Sequence, residues 1–279
     1  MSAAAAIDIT LLPGARRLLE IHARVLPQRD DLCGAFCGSL ALGAAGVTAG
    51  DGDPLDQDAV AVAAGSVISA EPDPGILPEG ESGRRDYRLE IPRVTDAKLS
   101  GTTAAGVREG IERLSNGALV AIPLSGLWSA AALDGIYERA ALLDRPVALI
   151  ANFATHHLWG SHASVAQLLA YLLDGEQAGP DPDWRVGHFA CVVGRVRGPR
   201  GNLYAVADTY PALGDHGVHL QPRERLAAAL ERADMPAGGM LLVADARDAG
   251  AIREDARALG LREQIWDNGT VPARTPEST

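Results

Sequence analysis

Two β-rich runs late in the chain constrain its fold more than any other stretch. Residues 186–196 (VGHFACVVGRV) and 202–208 (NLYAVAD) are joined by Arg-Gly-Pro-Arg-Gly at 197–201. Apolar and aromatic runs separated by Gly and Pro predict an antiparallel hairpin with its turn at 197–201. In a hairpin the strand ends farthest from the turn lie together. That geometry sets His188, near the start of the first strand, beside Asp208, at the end of the second.

The chain before the hairpin reads mainly as helices. Leu18, Leu19, Ile21 and Val25 recur at helical spacing within 14–26, and Pro27 ends the run. Residues 33–47 are small and apolar and predict a buried helix, and 56–68, 103–114, 129–143 and 164–173 predict further helices. Residues 118–124 (ALVAIPL) and 146–153 (PVALIANF) predict strands. Residues 71–86 carry Pro, Gly and charge and predict a loop excursion. After the hairpin come a helix at 222–233, a short strand at 240–244, a helix at 248–259 and a polar, frayed tail from Asn268. Helices first and a hairpin late predict an α+β domain rather than an alternating doubly wound sheet.

Composition removes several function classes. At 279 residues and 47 % apolar the chain can bury a core, which excludes a mostly disordered protein. Its net charge of −11 argues against binding nucleic acid or an anionic membrane surface. No apolar run is long enough to span a bilayer, and Met1–Asp8 lacks a basic signal-peptide start, so a cytoplasmic setting is expected. Cys33, Cys37 and Cys191 are too few, and odd in number, for a disulfide framework. No P-loop, GxGxxG or GxSxG is present, so no nucleotide or flavin cofactor is expected.

The chemistry-bearing stretch is Gln28-Arg-Asp-Asp-Leu-Cys33-Gly-Ala-Phe-Cys37. A cysteine at the start of a helix has its thiolate stabilised by the positive end of the macrodipole and by free backbone N–H groups. The Gln28 amide and the Cys33 N–H can together hold an oxyanion. Small residues after Cys33 let the helix pack closely beneath the site. A thiol nucleophile needs a base and the base an orienting acceptor, which His188 and Asp208 supply if the hairpin forms. Cys33 and Cys37 can instead be read as small buried apolar residues. The presence of a base and an orienter favours the catalytic reading for Cys33, while Cys37 and Cys191 read as structural. Asp30 and Asp31 either cap the helix or, as nearby carboxylates, raise a thiol pKa.

The segments Gln28…Asp-Leu-Cys33-Gly-Ala-Phe-Cys37, Pro146–Asn152, Gly187–Gly194 and Val206–Pro211 resemble landmarks of the papain-like cysteine peptidase superfamily. The likeness is to bacteriocin-processing double-glycine-leader peptidases and to related peptidase-like acyltransferases. It implies a papain-like α+β fold: a helical N-terminal part with the nucleophile helix, packed on a mainly antiparallel sheet carrying His and Asp. It also implies Cys33 as nucleophile, His188 as base, Asp208 as orienter and Gln28 as oxyanion residue. Gln28 stands five residues before Cys33, where those peptidases usually have six. Under this reading 1–279 is a single domain, with a core at 28–211, an inserted loop region at 71–100, a C-terminal α/β extension at 212–267 and a flexible tail at 268–279.

His156, His157 and Trp159 follow the strand 146–153, where a papain-like loop can line the substrate cleft. With Asn152 on that strand they are the expected substrate contacts. The same histidines, with His162, invite a metal reading, but their spacing fits no zinc motif and no metal is expected. The expected activity is cleavage or transfer of an acyl or peptidyl group through a Cys33 thioester, in peptide maturation or natural-product biosynthesis. The substrate would be a peptide or acyl thioester, on a precursor peptide or a carrier protein. The alternative is a catalytically inactive papain-like module that binds a peptide or carrier protein.

Overall fold

The computed structural model describes residues 7–50 and 52–272. Its order is β1 (Asp8–Leu11), α1 (Ala15–Val25), α2 (Cys33–Ala44), α3 (Gln57–Ala64), β2 (Ile68–Ser69), β3 (Arg93–Val94), α4 (Ala104–Leu114), β4 (Leu119–Ser125) and α5 (Ala130–Ala141). There follow β5 (Ala148–Ala154), α6 (Val165–Asp174), β6 (Gly187–Arg197), β7 (Asn202–Ala207), β8 (Val218–Pro222), α7 (Arg223–Glu231), β9 (Gly239–Asp245), α8 (Ala249–Ala258) and β10 (Arg262–Glu263). The architecture is α+β, with a mainly antiparallel sheet, as the sequence predicts.

The main sheet runs β10-β4-β9-β5-β6-β7-β8, and β1 pairs with the far end of β6. Every pairing within it is antiparallel. The hairpin forms as β6 and β7, with a bulge between Val192 and Gly194. β9, from the 212–267 segment, lies between β4 and β5, so that segment is woven into the sheet rather than attached beyond it. β5 is buried at every position and contacts both α2 and α7, as a strand covered on both faces does. One helix group is α1 to α4; α5, α7 and α8 pack together as another.

α2 carries no apolar stripe because it is buried at every position after Cys33. Its glycines are packing requirements: a Cβ on Gly34 would stand 2.8 Å from Val107 Cγ2 and 3.3 Å from Phe189. α3 is shorter than the predicted 56–68 run, because Gly65 takes the left-handed conformation that ends helices. Asp56 caps its start, accepting from Ala59 N at 3.1 Å. No helix among the described residues is long and apolar enough to cross a membrane.

Two segments make contacts that the sequence did not mark. The 71–100 region contains little regular structure, yet Ala97, Lys98 and Ser100 line a cavity of about 420 Å³. The tail is not free at its start. Asn268 Nδ2 donates to Thr102 O at 3.2 Å and Val271 N donates to Leu99 O at 3.2 Å, so 268–271 are tied to the inserted region. Residues 273–279 of the predicted flexible tail lie outside the described residues.

Candidate active site

Cys33 opens α2, and its flanking Leu32 offers no side-chain cap to the first-turn N–H groups. The helix start therefore faces the cavity with its donors uncapped. Asp30 and Asp31 are not the cap. Asp30 Oδ1 accepts from Arg84 N at 2.8 Å, and Asp31 accepts from Ser69 N and the Ser100 hydroxyl, each at 2.8 Å. Arg29 is buried against Asp58 at 3.2 Å, and its N donates to Gln57 Oε1 at 2.7 Å. The polar run before Cys33 thus fixes the approach to α2 by binding α3 and the inserted region.

The hairpin delivers the expected pair. His188 Nε2 donates to Asp208 Oδ1 at 2.8 Å, with both residues buried. Cys33 lies close enough to the same imidazole for its sulfur to raise the His188 pKa. With Nε2 committed to Asp208, Nδ1 is the ring nitrogen left for the thiol. Trp184 meets the ring edge-on at 5.0 Å between centroids, and Tyr210 stacks on it at 6.2 Å. Burial works against a charged His188, but the Asp208 carboxylate and the Cys33 sulfur outweigh it and push its pKa up to about 10. Burial likewise opposes the Asp208 carboxylate, yet His188 and His219 hold it well below the usual range.

Gln28 is anchored on both sides. Its backbone N donates to Thr209 O at 3.0 Å, and its Nε2 donates to Tyr210 Oη at 3.0 Å, while Oε1 has no partner. Gln28, Cys33, Asn152 and His188 border one cavity of about 420 Å³, together with Trp184, Tyr210 and Arg232. Asp208 lies behind His188, outside the cavity wall. Asn152 is spent on the protein itself: Oδ1 accepts from Arg232 Nη1 at 2.7 Å and Trp266 Nε1 at 3.0 Å, and Nδ2 donates to His188 O at 3.3 Å.

The other expected substrate contacts are not brought to the cavity. Trp159 packs on Tyr171 in a separate apolar cluster, because Gln221 pins its backbone N and O at 2.8 and 2.9 Å. His156 and His157 turn instead to Asp234, at 2.9 and 3.0 Å. These three side chains could hold a metal ion, since their ligand atoms lie within 4.8 Å of one another. Arg185 Nη2 donates to the same carboxylate at 2.7 Å, so Asp234 already has a cationic partner.

Several site residues escape sequence reading. His219 Nε2 donates to Asp208 Oδ2 at 3.1 Å, and His22 Nε2 donates to Asp208 O at 2.5 Å. Burial lowers the His22 pKa, against the raising effect of that bond. Cys37 and Cys191 are both buried; burial first, and the neighbouring Cys191 second, push the Cys37 thiol up. A weak signal existed for His219: the alternation His219-Leu-Gln221 places two polar side chains on one strand face. Nothing in the sequence marked Arg232.

No curated protein matches the chain. Residues 12–267 match a described protein family, a span that takes in Gln28, Cys33, Asn152, Trp184, His188, Tyr210 and Arg232 and begins just after β1. The chain belongs to that family, the "Family of unknown function (DUF6885)".

Proposed function

We propose that the protein is a papain-like cysteine enzyme that cleaves or transfers an acyl or peptidyl group through a Cys33 thioester, in a cytoplasmic setting. The observation that carries this reading is that Cys33, at an uncapped helix start, and His188, bonded to Asp208, face one cavity. Each group has the partner its role needs.

In this mechanism the Cys33 proton passes to His188, and the sulfur attacks the carbonyl carbon of the substrate. The carbonyl oxygen becomes an oxyanion, received by the Cys33 N–H and the Gln28 amide hydrogen not given to Tyr210. Collapse breaks the bond to the leaving group, which takes the proton from His188, and a Cys33 thioester remains. Water or an amine then attacks, giving up its proton to His188, and the thiol is released. Water makes the enzyme a peptidase or amidase; an amine makes it an acyltransferase, as peptide maturation or natural-product biosynthesis would use. Asp208 holds the imidazole with Nε2 protonated throughout and stabilises its charged form.

The test is iodoacetamide alkylation of Cys33 across pH 5–9, mapped by peptide mass spectrometry, in the wild type and His188→Ala. The reading expects rapid alkylation at the acid end that falls at least about tenfold in the variant. Alkylation only at alkaline pH, indifferent to His188, would turn the assignment to a binding module for a peptide or carrier protein.

A further inference from the structure

Arg232 follows α7 directly, and the chemistry proposed above does not use it. It is only 3 % exposed, yet it borders the same cavity as Cys33. Its Nη1 donates to the neutral Asn152 at 2.7 Å, and among the described residues it forms no ion pair. Nε is buried without any partner. Buried cations are ordinarily paired, because lost hydration is otherwise uncompensated. An unpaired guanidinium on a cavity wall is the state expected of a group whose counterion arrives with a ligand.

Its seat is built. A Cβ on Gly187 would stand 2.5 Å from Arg232 Nη2, and one on Gly238 would stand 2.4 Å from its Cδ. Two glycines therefore clear the space the side chain fills. The Arg232 backbone is left-handed, at φ 49°, a conformation that side-chain-bearing residues seldom take. The exposed Lys98 also borders the cavity, as does the Asp31 carboxylate, which accepts from Ser69 N and the Ser100 hydroxyl. Arg232 is thus the buried cation of that wall.

We propose that Arg232 binds a carboxylate carried by the substrate close to the acyl carbon that Cys33 attacks. Nη1 is committed to Asn152 and Nε is closed off by burial, so Nη2 is the guanidinium nitrogen left to give a carboxylate oxygen a charge-assisted hydrogen bond. The substrate class is accordingly an amide or thioester whose acyl part bears a carboxylate. This proposal rests on the thioester reading of the site, and the experiment separates the two.

Cys33 is alkylated with iodoacetate and, in parallel, with neutral iodoacetamide, and the ratio of the two rates is compared between wild type and Arg232→Gln. Both reagents lose iodide to the same sulfur, so a change in thiol reactivity cancels and the ratio reads recognition of the carboxylate. The expected result is a fall in the ratio of at least about fivefold, with Arg232→Lys restoring only part because an ammonium keeps the charge but cannot hold Asn152 and the carboxylate in the same planar geometry. A ratio unchanged in a folded Arg232→Gln protein overturns the proposal, while slow alkylation by both reagents in wild type counts against the thioester reading instead. For that case the site is probed without the thiol. Succinate should raise the melting temperature of Cys33→Ser saturably, succinamide should not, and the effect should vanish in Cys33→Ser/Arg232→Gln. Equal effects of succinate and succinamide, or stabilisation by inorganic phosphate alone, would overturn carboxylate recognition.

Discussion

His219 Nε2 donates to Asp208 Oδ2 at 3.1 Å, on the carboxylate whose other oxygen holds His188 at 2.8 Å. The Gln221 amide decides how His219 is protonated. Gln221 Oε1 accepts from Trp159 N and Nε2 donates to Trp159 O, so its second N–H meets His219 Nδ1 at 2.9 Å. Nδ1 is then an acceptor and Nε2 carries the proton given to Asp208. His219→Leu leaves one oxygen of a buried carboxylate without a donor, at a cost of about 1–3 kcal/mol. In a chain of this size that lowers the melting temperature by about 2–5 °C, read by calorimetry. Alkylation of Cys33 should weaken less than in His188→Ala, since the Asp208–His188 bond remains.

His22 makes stability fall at acid pH. Burial lowers its folded-state pKa below the ordinary value of 6.5. The unfolded chain therefore binds a proton that the folded protein does not as pH drops below 6.5. The contribution is full above that pH and is lost with a slope of at most about 1.4 kcal/mol per pH unit below it. His22→Gln keeps an N–H donor for the Asp208 carbonyl without the titration. Its melting temperature should vary less between pH 7.5 and about 5.5 than that of the wild type.

Asn152 should act through Arg232 rather than on substrate directly. Asn152→Leu removes the acceptor shared by Arg232 and Trp266 and costs about 1.5–3 kcal/mol for the charged bond alone. Trp266 loses its indole partner, so its fluorescence should change in the folded variant. Asn152→Asp keeps the acceptor and gives Arg232 an internal counterion. That variant should fold, and its iodoacetate-to-iodoacetamide ratio at Cys33 should fall as in Arg232→Gln.

Gly34→Ala pits helix propensity against packing. Alanine gains up to about 1 kcal/mol over glycine inside a helix. Its methyl would meet Val107 Cγ2 at 2.8 Å, Thr102 Cβ at 3.1 Å and Phe189 Cδ2 at 3.3 Å. Overpacking of this kind costs about 1–3 kcal/mol, so the net effect is destabilising. Denaturant unfolding should place the variant's midpoint below that of the wild type. Equal or greater stability would mean that α2 can shift on the sheet.

Local pattern carried much of the architecture. The hairpin, α1, α2 and β5 were legible because each combines a strong period or apolar run with a Gly, Pro or polar boundary. His188 and Asp208 followed from the hairpin alone, since a turn of fixed length dictates which strand ends meet. β1 was not legible, because its four residues are largely exposed and carry no buried face to pattern. The histidine pair was misplaced for a related reason: a loop's direction after β5 depends on what receives it, and Asp234 on a distant segment receives His156 and His157.

What the sequence determined by itself was the α+β class, the thiol at a helix start, and a histidine and carboxylate joined by one hairpin. These depend on contacts a few to some twenty residues apart, which turn chemistry and periodicity govern. Only the tertiary structure decided the rest. It brought His219 and His22 onto Asp208 from β8 and α1, set β9 between β4 and β5, and turned Arg232 into the cavity with Asn152 as its sole side-chain partner among the described residues. The physical reason is that these side chains are polar and buried. Their positions are fixed by the hydrogen-bond partners they must find across the fold, and no local pattern names those partners.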